Sequence, residues 1–489
     1  MFKSLNSDKK QVLVAVIISL IYILINSILI SKEVYWFSVL PGVLLIIMIY
    51  IFALDKIYLI IAFFTPIAID ISEIGLVNGD IGLSIPTEPL LFGLMFLFMV
   101  KLFLDQHFDK RLFQHPVSIA LYFYLIWMFL TSITSEYPLV SFKFFLARLW
   151  FVIPIYFFGV MVMKNFRNIP RFIWAYVISL LIVIGWTISQ HALNGFSEHS
   201  AHWVMSPFYN DHTSYGAVLA VFIPIIFGLL FYYQKPSQRF FSALVLVILL
   251  VAIYLSISRA AWASVIIAIG VFVLFRFRIR ISWLLSGFMI LLFFLWSFQG
   301  QILMKLERNK QDSSSDFIEH VQSMSNIATD ASNLERINRW MSAIRMFEAR
   351  PIQGWGPGTY QFVYAPFQSV EQKTVISTNV GNKGTAHSEY LLALSEQGLM
   401  GMLSLIIIMI LVTLTALRIY KSVADKRVKT MGLIIYLGLT TYIAHAFFNN
   451  FLDTDKMSVP FWGLVAALVA IDLYHKDKIS LDKDIDFEN

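Results

Sequence analysis

Cysteine is absent from the 489 residues, which excludes a disulfide framework, a thiolate metal site and a cysteine nucleophile. Charge is scarce too: 14% of residues are Asp, Glu, Lys or Arg, against about 25% in an ordinary soluble domain. No His and Glu stand at the close spacing of a metalloprotease site, and no internal repeat of fixed length is apparent. Apolar side chains fill the space, with 58% of residues hydrophobic and 16% aromatic. They fall in blocks near the roughly 20 residues an α-helix needs to cross a bilayer. The first block, Gln11–Ile30, is too long for a signal peptide and lacks a small-residue cleavage site, so it is expected to be a span. The net charge of +6 does not point to nucleic acid here, because the basic residues sit mostly in short loops between apolar runs, where orientation accounts for them.

About fourteen candidate spans can be drawn, with 12–14 as the expected range. They lie near 11–30, 35–54, 57–70, 88–105, 116–134, 145–163, 171–190, 214–233, 240–257, 259–275, 281–298, 398–418, 430–448 and 457–474. The expected fold is therefore an all-α polytopic membrane protein. Placing both termini in the cytoplasm puts most of the 37 Lys and Arg on that side, including Arg276, Arg278 and Arg280 and the run from Arg418 to Lys429. One segment then stands out. Residues 299–388 form an outer loop far longer than the usual links of a helix bundle. Its first part, Glu307–Ser332, is polar and serine-rich. In its second part Ser332 and Glu335 have the spacing of a capping box. Leu334, Ile337, Met341, Ile344 and Phe347 follow at helical intervals, and Arg350-Pro351 ends the helix. The expected layout is residues 1–298 as N-terminal membrane helices, 299–388 as a partly helical periplasmic loop with the catalytic elements, and 389–489 as C-terminal helices with a short cytoplasmic tail.

Charge in or beside a span is costly and asks for a reason. Arg259 is expected at the outer surface at the tip of a helical hairpin. It is either an interfacial arginine beside Trp262 or an anion site, since its planar fork suits phosphate. Lys143 and Arg148, five apart, share no helix face and read equally well as interfacial residues or substrate ligands. Arg336 and Arg339 lie on one face of the loop helix, with Trp340 four residues after Arg336. They form either a solvated surface or the second half of a pyrophosphate clamp. The glycine-rich Pro351–Thr359 follows a helix rather than a strand, so a tight turn or close backbone approach explains it better than nucleotide binding. His387 opens the helix that carries Glu389, Glu396 and Gly398. It is either structural or a general base at the membrane surface. Asp211 and His212 open another span on that side, as a cap and anchor or as part of an acceptor site.

In order and spacing these pieces resemble the O-antigen ligase and O-antigen polymerase superfamily. The resemblance is carried by Ser258-Arg259-Ala260-Ala261-Trp262 opening a span, by Arg336 four before Trp340, and by Pro351-Ile352-Gln353-Gly354-Trp355-Gly356. His387-Ser388-Glu389-Tyr390-Leu391 with Glu396-Gln397-Gly398, the stretch from Asn210 to Pro224, and Leu83–Pro89 complete it. It covers residues 200–400 most specifically. It implies a helical glycosyltransferase of the bacterial inner membrane that moves glycan from undecaprenyl pyrophosphate to an acceptor hydroxyl at the periplasmic face, with no cofactor, nucleotide sugar or metal. By position, Arg259 and Arg336 would hold the donor pyrophosphate and His387 would activate the acceptor. Arg148, Lys143, Asp211, His212, Arg339, Trp340 and Glu389 would line the substrates. The implied partners are the lipid bilayer, the undecaprenyl-pyrophosphate-linked oligosaccharide, and a glycan, lipid A–core or protein acceptor. A polysaccharide transporter or flippase is the competing class. Such proteins often show repeated halves and charge near the midplane, whereas the charges here gather at one surface.

Overall fold

In hydrocarbon a spanning segment must satisfy its backbone internally, and the helix is the local way to do so. The computed structural model describes residues 7–34, 36–42, 44, 48, 53–71, 83–104, 109–277, 331–369 and 384–476. It is built almost wholly of helices, and ten of them among the described residues are long and apolar enough to cross a membrane. The chain is a multi-pass membrane protein, as its composition requires. The expected span at 281–298, Arg278 and Arg280, and the polar stretch up to residue 330 lie outside the described residues, as does part of the span at 35–54.

The chain divides into two compact units, 1–58 and 59–489. The first contains α1 (Ser7–Ile30), none of whose spanning window is buried. Tyr22 Oη donates to Phe37 O at 3.0 Å, which folds the segment after α1 back onto it. A short α2 (Leu54–Phe64) leads into the second unit. The third expected span, 57–70, is thus only an 11-residue helix, which reaches about 16 Å. Pro66 cannot continue it, and Lys456 Nζ donates at 2.6 Å to both Thr65 O and Ala68 O at its end. The chain then forms a two-residue strand, β1 (Ile69–Asp70), antiparallel to β2 (Ser84–Ile85).

The second unit continues with α3 (Thr87–Leu104), α4 (Pro116–Ile133), α5 (Pro138–Val152), α6 (Asn168–Leu193) and α7 (His212–Tyr232). Then come α8 (Pro236–Leu255), α9 (Arg259–Phe277), α10 (Ala331–Ala349), α11 (Glu389–Ser422), α12 (Lys426–His445) and α13 (Asp455–Ala470). Starts are fixed locally. Proline occupies the first turn of α4, α5 and α8, where its missing N–H has no partner to lose. Asp211 and Asp425 cap α7 and α12 with their carboxylates. α12 packs against α7 and α9, α11 against α4, and α10 against α11.

Small residues let these helices approach closely. A Cβ on Gly228 of α7 would lie 2.0 Å from the Ile434 side chain of α12, and one on Gly438 of α12 would lie 2.6 Å from Ile225 of α7. Each helix offers a glycine to an isoleucine of the other. The centre of the unit is α13, 83% of whose spanning window is buried.

α11 is interrupted at Gly398, which has φ 67° and ψ −168°. A Cβ there would sit 2.1 Å from Ile352 O, while Leu399 N donates to Pro351 O at 3.0 Å. The break therefore receives the loop that precedes it in sequence. Gly398→Ala is expected to lose at least about 2 kcal/mol, from a left-handed L-residue and a backbone clash. Its thermal midpoint in detergent should fall by several degrees. Gly270→Ala, where nothing lies within 4 Å, is the control and should melt like wild type.

Candidate functional site

Glu396 lies at one end of the bundle, two residues before the break. Its Oε2 accepts from Gly358 N and its Oε1 from Tyr360 N, both at 2.9 Å. Its carbonyl accepts from Gly356 N at 2.7 Å, and Ser395 O accepts from Trp355 N at 3.2 Å. Gly354, Gly356 and Gly358 all have positive φ. A Cβ on Gly354 would meet the Glu396 carbonyl carbon at 2.4 Å, so only glycine allows this approach. The opposite side of the loop rests on the α4–α5 turn. Ser141 Oγ donates to Pro357 O at 2.8 Å, Arg350 pairs with Glu136 at 2.8 Å, and its guanidinium covers the Trp355 ring at 3.9 Å. The glycine-rich segment is the tight, backbone-clasped turn that its position after a helix suggested.

A second carboxylate organises the adjoining segment. Glu389, buried in the first turn of α11, accepts on one oxygen from Tyr442 Oη at 2.7 Å, Phe451 N at 2.8 Å and Leu452 N at 2.7 Å. Glu389 N donates to Ala446 O at 2.9 Å. Arg148 is buried in α5, donates to Leu452 O and stands over the Phe144 ring. Lys143 of the same helix is exposed, as their spacing implied. Arg148 and Glu389 thus fasten residues 446–454 from two sides.

This fastening assembles a polar centre. Arg336 of α10 is within electrostatic reach of three imidazoles: His212 at the start of α7, His387 just before α11, and His445 at the end of α12. Asp211 faces the same three, while its Oδ1 caps α7 through Thr213 N at 2.8 Å and Ser214 N at 2.7 Å. His212 Nδ1 lies 3.1 Å from His202 Nδ1. The His445 ring lies against the backbone of Ala260, next to Arg259. Arg259 itself is exposed at the first position of α9.

His387 is half-buried at φ 48°, a left-handed conformation that costs an L-residue about 1–2 kcal/mol. Its carbonyl accepts from Trp340 Nε1 at 3.3 Å, and its N–H donates to Thr385 Oγ1 at 3.3 Å. Burial, then the Arg339 and Arg336 charges, push the imidazole down to about 4. The second left-handed residue near the centre is Ile257 at φ 51°, two before Arg259 and strained for a β-branched side chain.

Arg336 and Arg339 share a helix face but not a role. Arg339 is buried, pairs with Glu335 at 2.8 Å, donates to Thr385 O at 3.3 Å and lies over the Tyr364 ring at 5.2 Å. Glu335, expected in a capping box with Ser332, thus engages Arg339. α10 begins one residue before Ser332. The structure brings Arg336, Arg339, Trp340, His387, Asp211 and His212 into one region and sets Arg259 at its edge through Ala260. Arg148 and Glu389 lie beneath it as fasteners, and Lys143 is exposed on α5. Sequence reasoning missed His445 and Asn449, which no motif marks. Glu396 was noted within a motif but given no task; its place two residues before a glycine break was the available signal.

A family model described as O-antigen ligase matches residues 244–406. This stretch runs from within α8 to just past the Gly398 break and contains Arg259, Arg336, Arg339, Trp340, His387, Glu389 and Glu396. Asp211, His212, His445 and Asn449 lie outside it. The match bears out the resemblance to the O-antigen ligase and polymerase superfamily. No curated protein sequence matches the chain.

Glu389→Ala would leave Tyr442 Oη, Phe451 N and Leu452 N without their acceptor. Each orphaned group costs about 1–3 kcal/mol. The variant is expected to melt far below wild type and to be cut by protease within residues 446–454, as read by mass spectrometry.

Proposed function

We propose that this O-antigen ligase-type membrane protein transfers glycan from undecaprenyl pyrophosphate to an acceptor hydroxyl at the periplasmic face of the bacterial inner membrane. The observation that carries the proposal is the convergence of Arg336 with His387, His212 and His445 beside the turn that presents Arg259. A leaving lipid pyrophosphate develops negative charge, and arginines already in place in a water-poor setting stabilise it strongly. In this reading Arg259 and Arg336 bind the pyrophosphate, while His387 accepts the proton of the attacking hydroxyl. The hydroxyl oxygen forms the new bond to the anomeric carbon. The old carbon–oxygen bond breaks with its electron pair going to the pyrophosphate. No metal or nucleotide sugar is required by these steps.

The depressed basicity of His387 fits this task in one respect: the imidazole is neutral, and so able to accept a proton, throughout the physiological range. The orientation rests on charge. Lys164, Arg167, Lys235, Arg418, Lys421 and Lys426 lie at the helix ends opposite the site, and the positive-inside bias supports reading that end as cytoplasmic. The acceptor is lipid A–core for a ligase, a second carrier-linked repeat for a polymerase, or a protein hydroxyl.

The test is release of lipid pyrophosphate by purified protein in detergent, with EDTA present and candidate acceptors added in turn. His387→Ala is expected to lose about 10²–10⁴-fold in rate, and Arg259→Ala or Arg336→Ala about 10²–10³-fold, with membrane insertion intact. Wild-type glycan profiles in all three variants would overturn the assignment, and a wild type that moves donor without any acceptor-dependent release would favour transport. The pH profile adds a second check. A base lowered to about 4 loses its free form only as pH falls through that value. Turnover should stay level from pH 8 to 6 and decline below about 5; a half-maximum near 6.5 would contradict the burial of His387.

A further inference from the structure

A general base needs a partner that fixes which of its two nitrogens carries the proton. The structure places Asn449 in that position. Its side chain is buried and touches the His445 imidazole. Nδ2 lies 3.0 Å from His445 Nε2, and the amide stands near enough to the His387 ring to influence its charge, on a turn tied to the start of α11 by Glu389 N to Ala446 O at 2.9 Å. We propose that Asn449 is the positioning residue of this site: its amide bridges His445 and His387 and fixes the tautomer in which His387 meets the acceptor hydroxyl. The proposal rests on the transferase reading given above.

The direction of each bond follows from chemistry. An amide nitrogen only donates, so His445 Nε2 must accept and His445 must be neutral with its proton on Nδ1. The amide oxygen only accepts. With Nδ2 committed to His445, Oδ1 receives the N–H of His387. The other nitrogen of His387 is then left with its lone pair, as a base requires. His445 is itself held, since its ring packs against Phe451 at 5.8 Å and against the Ala260 backbone. Asn449 N donates to His445 O at 3.2 Å, so the amide sits on the turn that leaves α12. That turn is the one Glu389 fastens. The charged groups around His387 are Arg336 and Arg339 from α10 and Asp211 from the start of α7. Both arginines disfavour the imidazolium, and the amide and Asp211 favour it.

Two variants and two readouts test the proposal. Asn449→Ala removes the bridge; kcat for acceptor-dependent release is expected to fall about 10–100-fold, part of the contribution of a general base, with KM for donor and acceptor unchanged. Asn449→Asp puts a carboxylate on the His387 N–H, and an adjacent opposite charge moves a titration by about 1–3 units. The acid limb of its pH–rate profile should therefore rise by that amount from near 4. The second readout needs no turnover: diethylpyrocarbonate modification of His387 across pH, followed by peptide mass spectrometry, reports its titration directly. The Asp variant should show the same upward shift there. Asn449→Ala turning over within twofold of wild type, or an Asp variant whose His387 titrates as in wild type, would overturn the proposal. A wild type that transfers nothing would defeat the transferase reading alone, because the modification profile still decides whether Asn449 holds His387.

Discussion

One carboxylate oxygen, Glu389 Oε1, gathers a tyrosine hydroxyl and two backbone N–H groups from another part of the chain. Hydrogen bonds to a carboxylate are among the stronger polar contacts a protein makes, and here three meet on one atom. Glu389 follows His387 by two residues, and the N–H groups it holds follow Asn449 by two and three. The contact therefore sets the distance between the candidate base and its amide partner. Arg148 braces the same turn from α5 by taking Leu452 O. Glu396 does the equivalent work about two helical turns further along α11, where its carboxylate ties residues 358–360 to the helix.

These carboxylates and arginines sit at one end of a bundle whose long helices are mostly apolar. Unpaired charge is expensive in such surroundings, so most of it is committed to backbone. The pair on α10 illustrates the division. Arg339 is fully engaged by Glu335, Thr385 O and the Tyr364 ring, and it holds the segment before His387 in place. Arg336, three residues earlier, faces imidazoles and Asp211. The same helix face thus provides one arginine for architecture and one for the polar centre, a distinction that spacing alone does not make.

Much of the fold was legible because the bilayer imposes it. Long apolar runs became helices from α3 to α13, and the proline and aspartate starts of α4, α5, α7 and α12 follow from local rules. The span at 57–70 failed for a tertiary reason: Lys456, nearly four hundred positions away, takes the carbonyls at its end. The site was partly legible. Arg259, Arg336 and His387 stand in recognisable motifs, and Asp211 is a sequence-visible cap. His445 and Asn449 were not, because their meaning arises only when α12 and the turn after it are folded against α10 and α11. Arg148 and Glu389 were visible as unusual charges, but whether a buried charge meets substrate or backbone depends on neighbours that sequence does not order.

The electrostatics of the centre pull in two directions. Burial first, and then Arg339 and Arg336, hold His387 neutral, which leaves it able to accept a proton but lowers its basicity. A base of such weak affinity gains little from the proton while the arginines face it alone. A pyrophosphate on Arg336 would offset that one charge, while burial and Arg339, which stays with Glu335, continue to hold the imidazole down. Burial therefore sets most of the basicity of His387, and donor on Arg336 would tune only the smaller part that this charge contributes.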